Sequence, residues 1–305
     1  MLSKSSLLRL LAGITACGAA VAATLVLLPP VAQAAPLTFR FASESASSSD
    51  AQKSVTATCP SGWQLVGAGA NVNNGGRRVV IDEIHPNGSA STAPTAVTVW
   101  ALEDQTGTAA SWSVTAYAVC TALPIQSVVR VSSTSSVSST PKGATASCPA
   151  GARSLLGSGF NINDGNGQVN VQDVVPDLDG DGTVVVRAHE DPTGYAGSWS
   201  VTAYAICGVV DGALEIRTDE GPFNSSEKSE DISCRDGFTL LSAGVDLSST
   251  GLGIDPLNYH LIIDEIHIGG SAVTKPTDAT IWVLEESATP EIWWMDAIAV
   301  CFDPA

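Results

Sequence analysis

The sequence predicts an all-β protein of three tandem repeats, each a disulfide-closed β-sandwich or small barrel. Three observations predict it. The same landmarks return with a period of about 87 residues. Six cysteines past the N-terminal segment are spaced as three matched pairs. Apolar and polar residues alternate with period two, and no helical period appears after the first 34 residues.

The chain opens with Lys4 and Arg9, continues through an apolar run from Leu10 to Val31, and reaches Ala32-Gln33-Ala34 before Ala35. This is the pattern of a secretory signal peptide, residues 1–34, with an A-x-A cleavage site. Ile14-Thr15-Ala16-Cys17 is an alternative lipobox that would leave a chain lipid-anchored through Cys17. A retained N-terminal anchor is the third option, because the run is long enough to span a bilayer. No other stretch is, so no membrane span is expected after cleavage. The repeats then occupy 35–122, 123–208 and 209–305, with net charges of −2, −3 and −14. Without a basic footprint the chain is not expected to bind nucleic acid. An even number of cysteines in an exported chain implies disulfides.

Within each repeat a lysine precedes the first cysteine by six residues (Lys53 to Cys59, Lys142 to Cys148, Lys228 to Cys234). A tryptophan precedes the last cysteine by eight (Trp112 to Cys120, Trp199 to Cys207, Trp293 to Cys301). Between them come the small-residue segments Gly67-Ala68-Gly69, Gly157-Ser158-Gly159 and Ser242-Ala243-Gly244, read as turns onto a strand. The closing segment alternates Trp112, Val114, Ala116, Ala118 and Cys120 against Ser113, Thr115 and Tyr117, a half-buried strand. Its alanine side invites close approach by the alternating strand Val55 to Cys59, which would put both cysteines in one interior. The expected pairs are therefore Cys59 with Cys120, Cys148 with Cys207, and Cys234 with Cys301. The rival is a ring that pairs Cys120 with Cys148, Cys207 with Cys234 and Cys301 with Cys59. Each repeat reads as about six strands, with a hairpin turn at Asn73-Asn74-Gly75-Gly76, Asp164-Gly165-Asn166-Gly167 and Ser248-Ser249-Thr250-Gly251. Because the linkers are so short, an alternative is a single pseudo-threefold β-prism, each repeat supplying a face.

Cys59-Pro60-Ser61-Gly62, Cys148-Pro149-Ala150-Gly151 and the two W-x-V-x-A-Y-A-x-C strands ending at Cys120 and Cys207 resemble units of exported proteins from high-GC Gram-positive bacteria. The third repeat departs from that pattern at Arg235 and Ile298. The resemblance implies no activity. The C-P-x-G element and closing cysteine are also similar to those of the vitelline membrane outer layer proteins, whose fold is a threefold β-prism.

No G-x-S-x-G, H-E-x-x-H or phosphate loop is present. The residues closest to acid/base chemistry are Asp82-Glu83-Ile84-His85 and Asp264-Glu265-Ile266-His267, where Glu and His at i and i+2 share one strand face. The second repeat has Gln172-Asp173-Val174-Val175 there. The acidic pairs Glu103-Asp104, Glu190-Asp191 and Glu285-Glu286 end a strand in each repeat and are expected to fix a turn. Asp177, Asp179 and Asp181 resemble the start of a calcium loop, but the twelfth position is Ala188, so no cofactor is expected beyond weak calcium. Trp100 and Trp282 stand at one place in repeats 1 and 3, where repeat 2 has Arg187. A deep core would not take Arg for Trp, so this face meets either solvent, as a ligand-binding surface, or a neighbouring repeat.

Repetition, disulfides and missing catalytic motifs favour a secreted, non-catalytic binding or cell-envelope-associated protein, with a cell-wall glycan or a surface protein as its partner. The alternatives are a secreted hydrolase working through the Asp-Glu-x-His strands and a purely structural surface protein.

Overall fold

Among the described residues the recurring alternation is realised as eighteen strands, six per repeat. A computed structural model describes residues 38–304 except 124, 151–152, 180–181, 250–260 and 288–291. The signal segment, Cys17 and Asp181 lie outside the described residues. Repeat 1 forms β1 (Thr38–Glu44), β2 (Gln52–Thr58), β3 (Gln64–Asn73), β4 (Val79–Pro86), β5 (Ala96–Glu103) and β6 (Ser113–Thr121). Repeat 2 forms β7 (Gln126–Thr134), β8 (Lys142–Ser147), β9 (Ser154–Asn163), β10 (Val169–Asp177), β11 (Thr183–Glu190) and β12 (Ser200–Val209). Repeat 3 forms β13 (Gly212–Glu220), β14 (Lys228–Ser233), β15 (Thr239–Ser249), β16 (Leu261–Ile268), β17 (Asp278–Glu285) and β18 (Trp293–Pro304). No α-helix occurs among the described residues.

The strands make three six-stranded antiparallel sheets, and every sheet is shared between two repeats. Their orders are β1-β6-β3-β16-β17-β14, β2-β5-β4-β9-β12-β7 and β13-β18-β15-β10-β11-β8. We call them the 3–1, 1–2 and 2–3 faces after the repeats that build them. Within a repeat, the half-sheet β1-β6-β3 packs on the half-sheet β2-β5-β4, and the equivalent halves of the other repeats do the same. The disulfides cross between these layers as Cys59–Cys120, Cys148–Cys207 and Cys234–Cys301, with Cα atoms 5.6, 5.7 and 5.7 Å apart. The expected sandwiches and pairing are therefore present, but the sandwiches are fused rather than separate or closed into barrels. The prism alternative holds with one correction: a repeat supplies a corner, half of each of two faces.

Fusion depends on the small-residue segments, which lie inside β3, β9 and β15 and not in turns. A Cβ at Gly69 would overlap the carbonyl oxygen of Ile266, one at Gly159 that of Ile84, and one at Gly244 that of Val174. These are the junctions where one repeat pairs with the next, through Ala70↔Ile266, Phe160↔Ile84 and Val245↔Val174. Nearer the axis, a Cβ at Gly67 would overlap the Leu241 carbonyl and one at Gly157 the Val66 carbonyl. The third such position is Ser242, whose hydroxyl lies 3.2 Å from that of Ser158.

The recurring lysine and tryptophan meet in each corner. Trp112, Trp199 and Trp293 are fully buried and donate their Nε1–H to Glu103, Glu190 and Glu285 at 2.9, 3.0 and 3.0 Å. Lys53, Lys142 and Lys228 lie over the indoles at 4.6, 3.1 and 3.7 Å from the ring centroids. Burial lowers the Lys142 ammonium, and that of Lys228 to about 8, while Glu190 and Glu285 oppose the shift. The closing strands differ from expectation in being buried on both sides. As central strands they have their outer residues, Tyr117 and Tyr204, covered by long side chains from neighbouring strands.

A methyl group forced against a carbonyl has no space to relax into, and overpacking of this kind costs about 3 kcal/mol. Gly159→Ala is therefore expected to lose about that much in guanidinium unfolding. Gly62→Ala, at φ +82° with nothing within 4 Å of the added atom, should lose about 1 kcal/mol. Equal losses would refute the close-approach account.

Candidate functional site

The outer surfaces of the 1–2 and 3–1 faces carry one repeated constellation. In β4 the register with β5 shifts between Ile81 and Glu83, a bulge that leaves Asp82 as the extra residue and sets Glu83 opposite Trp100. Across the repeat junction Glu83 is paired with Asn161 of β9. Two residues on, the His85 ring stacks on Tyr204 of β12 at 4.8 Å, and the Arg130 guanidinium lies 4.7 Å from the same phenol ring. The 3–1 face repeats this set with Asp264 in the bulge, Glu265 opposite Trp282, and Asn71, His267, Tyr117 and Arg40 in the matching places.

Hydrogen bonding fixes the state of both histidines. Arg130 Nη1 lies 3.0 Å from His85 Nε2, and Arg40 Nη1 lies 3.1 Å from His267 Nε2. A guanidinium can only donate, so each Nε2 is an acceptor without a proton. The proton sits on Nδ1, which faces Glu83 Oε1 at 2.7 Å and Glu265 Oε1 at 3.4 Å. Burial, then the Arg40 charge, lower the His267 pKa further. Both rings are thus neutral spacers between a carboxylate and a guanidinium. Their only lone pairs are occupied, which leaves nothing to accept a substrate proton or bind a metal.

What these faces leave open is the indole. Trp100 is 37% exposed and Trp282 43% exposed, each beside the carboxylate of its register partner. Of the two environments open to this position, the structure places both rings in solvent. The 2–3 face has exchanged the whole set: Arg187 replaces tryptophan, Asp173 glutamate, Val175 histidine, Ile298 tyrosine, Ile216 arginine and Asp246 asparagine. Arg187 binds Asp173 at 2.9 Å, which explains how arginine stands where the other repeats have tryptophan.

The acidic pairs depart in part from the expected turn role: Asp104 and Asp191 serve their turns, whereas Glu103, Glu190 and Glu285 hold the buried indoles and Glu286 accepts from Asn170 at 3.4 Å. Asp104 accepts from the Thr106 and Gly107 amides at 2.7 and 2.8 Å, and Asp191 from the Thr193 amide at 2.9 Å. The calcium-like segment also serves its own turn, with the Asp179 amide donating to Asp177 Oδ1 at 2.8 Å. No group of three His, Cys, Asp or Glu side chains that could hold a metal occurs among the described residues. The partners Arg40, Arg130, Tyr117, Tyr204, Asn71 and Asn161 were not singled out by sequence. The signal was available, because Arg40 and Arg130 hold equivalent places in two opener strands.

Burial pushes the carboxyls of Asp82, Asp173, Asp264 and Glu286 up to about 7. Neighbouring Glu83, Asp246, Glu265 and Asp191 respectively add to the shift. The folded state holds protons there that the unfolded chain releases, so their contribution is full below the ordinary carboxylate range and is lost as pH rises through about 7. His267, shifted down, works in the opposite direction as pH falls below its ordinary value. Four groups outweigh one, and the melting temperature is expected to rise between pH 8 and pH 5. Calorimetry across that range checks it, and a monotonic fall would contradict the burial of these groups. No protein-family model matches the chain, and no curated protein is significantly similar to it.

Proposed function

We propose that the protein is an exported, non-catalytic glycan-binding module that presents two matched tryptophan platforms, on the 1–2 and 3–1 faces. The observation that carries this reading is the exposure of Trp100 and Trp282 at equivalent positions, each beside a carboxylate and a junction asparagine. An exposed indole offers a flat apolar face to the C–H side of a sugar ring, and the neighbouring carboxylate and amide accept and donate to its hydroxyls. The hydrolase reading is weaker, because its base would have to be a histidine whose lone pair already holds a guanidinium. Three disulfides support an oxidising compartment, and the N-terminal segment supports export. Two platforms held rigidly on one prism would also suit a repetitive polymer such as cell-wall glycan, since the second contact is then intramolecular.

The test is a screen of the mature protein against cell-wall and plant-type glycans, followed by Trp100→Ala and Trp282→Ala. Each single variant is expected to lose about tenfold in affinity, or about 1.4 kcal/mol. The double variant should lose polymer binding, with the melting temperature within about 2 °C of the parent, since neither indole is in the core. Unchanged binding with a melting temperature several degrees lower would mean that the indoles are packing residues and would overturn the reading.

A further inference from the structure

The two exposed indoles stand on different faces of the molecule. Trp100 lies on β5, one strand in from the edge strand β2 of the 1–2 face, and Trp282 on β17, one strand in from the edge strand β14 of the 3–1 face. Each points outward beside the glutamate that is its register partner. We propose that the protein cross-links glycans: each platform holds a separate strand, so that one copy of the protein ties two polymer strands together. Cross-linking rests on the glycan reading above and adds to it the number of strands engaged.

Topology separates the two sites. The half-sheets β1-β6-β3 and β2-β5-β4 are the two layers of the repeat 1 sandwich, and the 3–1 and 1–2 faces are the sheets to which they belong. Their outer surfaces therefore face away from each other. A path over the surface from Trp282 runs from β17 through β16, β3 and β6 to the edge at β1, then round to β2 and on to β5. Five steps between neighbouring strands, at about 4.8 Å each, come to roughly 24 Å, and crossing the sandwich from β1 to β2 adds ~10 Å. A trisaccharide stacked on one indole does not reach the other. A strand touching both would have to cross most of one face and then fold back round the corner, whereas sugar rings stacked flat on one face lead away from the other.

The scaffold also keeps the sites from swinging together. Cys59–Cys120 joins the two layers of the corner that separates them, and at Gly69 the joint between β3 and β16 leaves no room for a side chain. The 2–3 face does not repeat the site, because Arg187, paired with Asp173 at 2.9 Å, stands where the indole would. The platforms thus number two, they carry the same side chains, and they open in different directions. A polymer offers many stacking positions and each protein joins two strands, so mixing builds a network. On a wall or fibre the second contact falls on a neighbouring strand that the first contact already holds close.

The experiment uses the mature chain, with cellotriose and chitotriose as single-site probes and hydroxyethylcellulose and glycol chitin as the matching soluble polymers. Calorimetry with the trisaccharide that binds is expected to give two sites per chain. Light scattering with its polymer should show at least a tenfold rise in particle size. The size should peak at intermediate protein and fall at excess, when every position on the polymer holds a protein of its own. Trp100→Ala and Trp282→Ala should each bind one trisaccharide per chain and leave the particle size unchanged, alone or mixed together. Trp100→Arg guards against a variant that merely fails to fold: it copies the pairing of Arg187 with Asp173, with Glu83 as partner. It should bind one trisaccharide at the parent melting temperature. Two sites with no growth of the polymer, a single site in the parent, or growth that survives in either alanine variant would each overturn cross-linking and leave glycan binding standing. Growth that survives would be assigned to contact between copies of the protein. Binding of neither trisaccharide and neither polymer would overturn the glycan reading, and cross-linking with it.

Discussion

The structure rests on three places where one strand's backbone lies directly beneath another's carbonyl. Gly69, Gly159 and Gly244 let β16, β4 and β10 cross β3, β9 and β15 at distances that admit no side chain. The ladder at each crossing is short, one or two residue pairs, so it contributes few hydrogen bonds. Its importance is geometric. Each crossing joins two half-sheets into one continuous face, and three such joints in a cycle convert three small sandwiches into one prism. Without them each repeat would expose the edges of two three-stranded half-sheets, a template for misassembly.

The corners solve a different problem. The closing strands turn mainly small residues inward (Ala116, Ala118, Ala203, Ala205, Ala297 and Ala299), so this side of each sandwich buries little apolar area per residue and gains from added links. Each corner supplies them in a disulfide between the layers and a buried tryptophan, bonded at its nitrogen to a glutamate and covered by a lysine. The lysine also reaches the loop between the first two strands of its repeat, through the carbonyls of Ser138 and Asn224 in repeats 2 and 3. The ion therefore ties loop to core as well as shielding the indole. A buried ammonium between an indole face and a carboxylate loses less to desolvation than one left alone, which accounts for its recurrence in all three repeats.

Repetition made much of this visible in the sequence. The cysteine pairs, the six strands of each repeat and the turn role of Asp104 and Asp191 follow from landmarks at fixed offsets, and an offset survives translation into three dimensions. Partnership between strands does not. Nothing local in β4 states that it pairs with β9 of the next repeat, so the corner arrangement was not readable. The glycines of β3, β9 and β15 read as turn residues in the sequence because the usual reason for glycine is its dihedral freedom; here the reason is a neighbour's carbonyl. The histidines show the same limit. Glu83 and His85 are visibly adjacent, but the group that decides their chemistry, Arg130, lies 45 residues away on an edge strand.

The 2–3 face carries the largest change. Its six substitutions form one physical unit, not six separate events. Once the stacked tyrosine becomes Ile298, no ring is left for the histidine or arginine to stack on, and those positions become Val175 and Ile216. Once tryptophan becomes Arg187, the carboxylate beside it gains a cation partner, and Asp173 sinks into the sheet, accepting from the Leu247 amide at 2.9 Å. Register then sets Asp246 beside Asp296 and Asp296 beside Glu220 on successive strands, a row of three carboxyls across this one face. Burial and mutual repulsion raise the Asp296 carboxyl, a cost that the other two faces avoid by holding asparagine and threonine there. Such a row repels anionic polymers and offers no indole to a sugar. The pseudo-threefold scaffold therefore presents two like faces, each with an exposed indole, and one unlike face that carries an acidic row in its place.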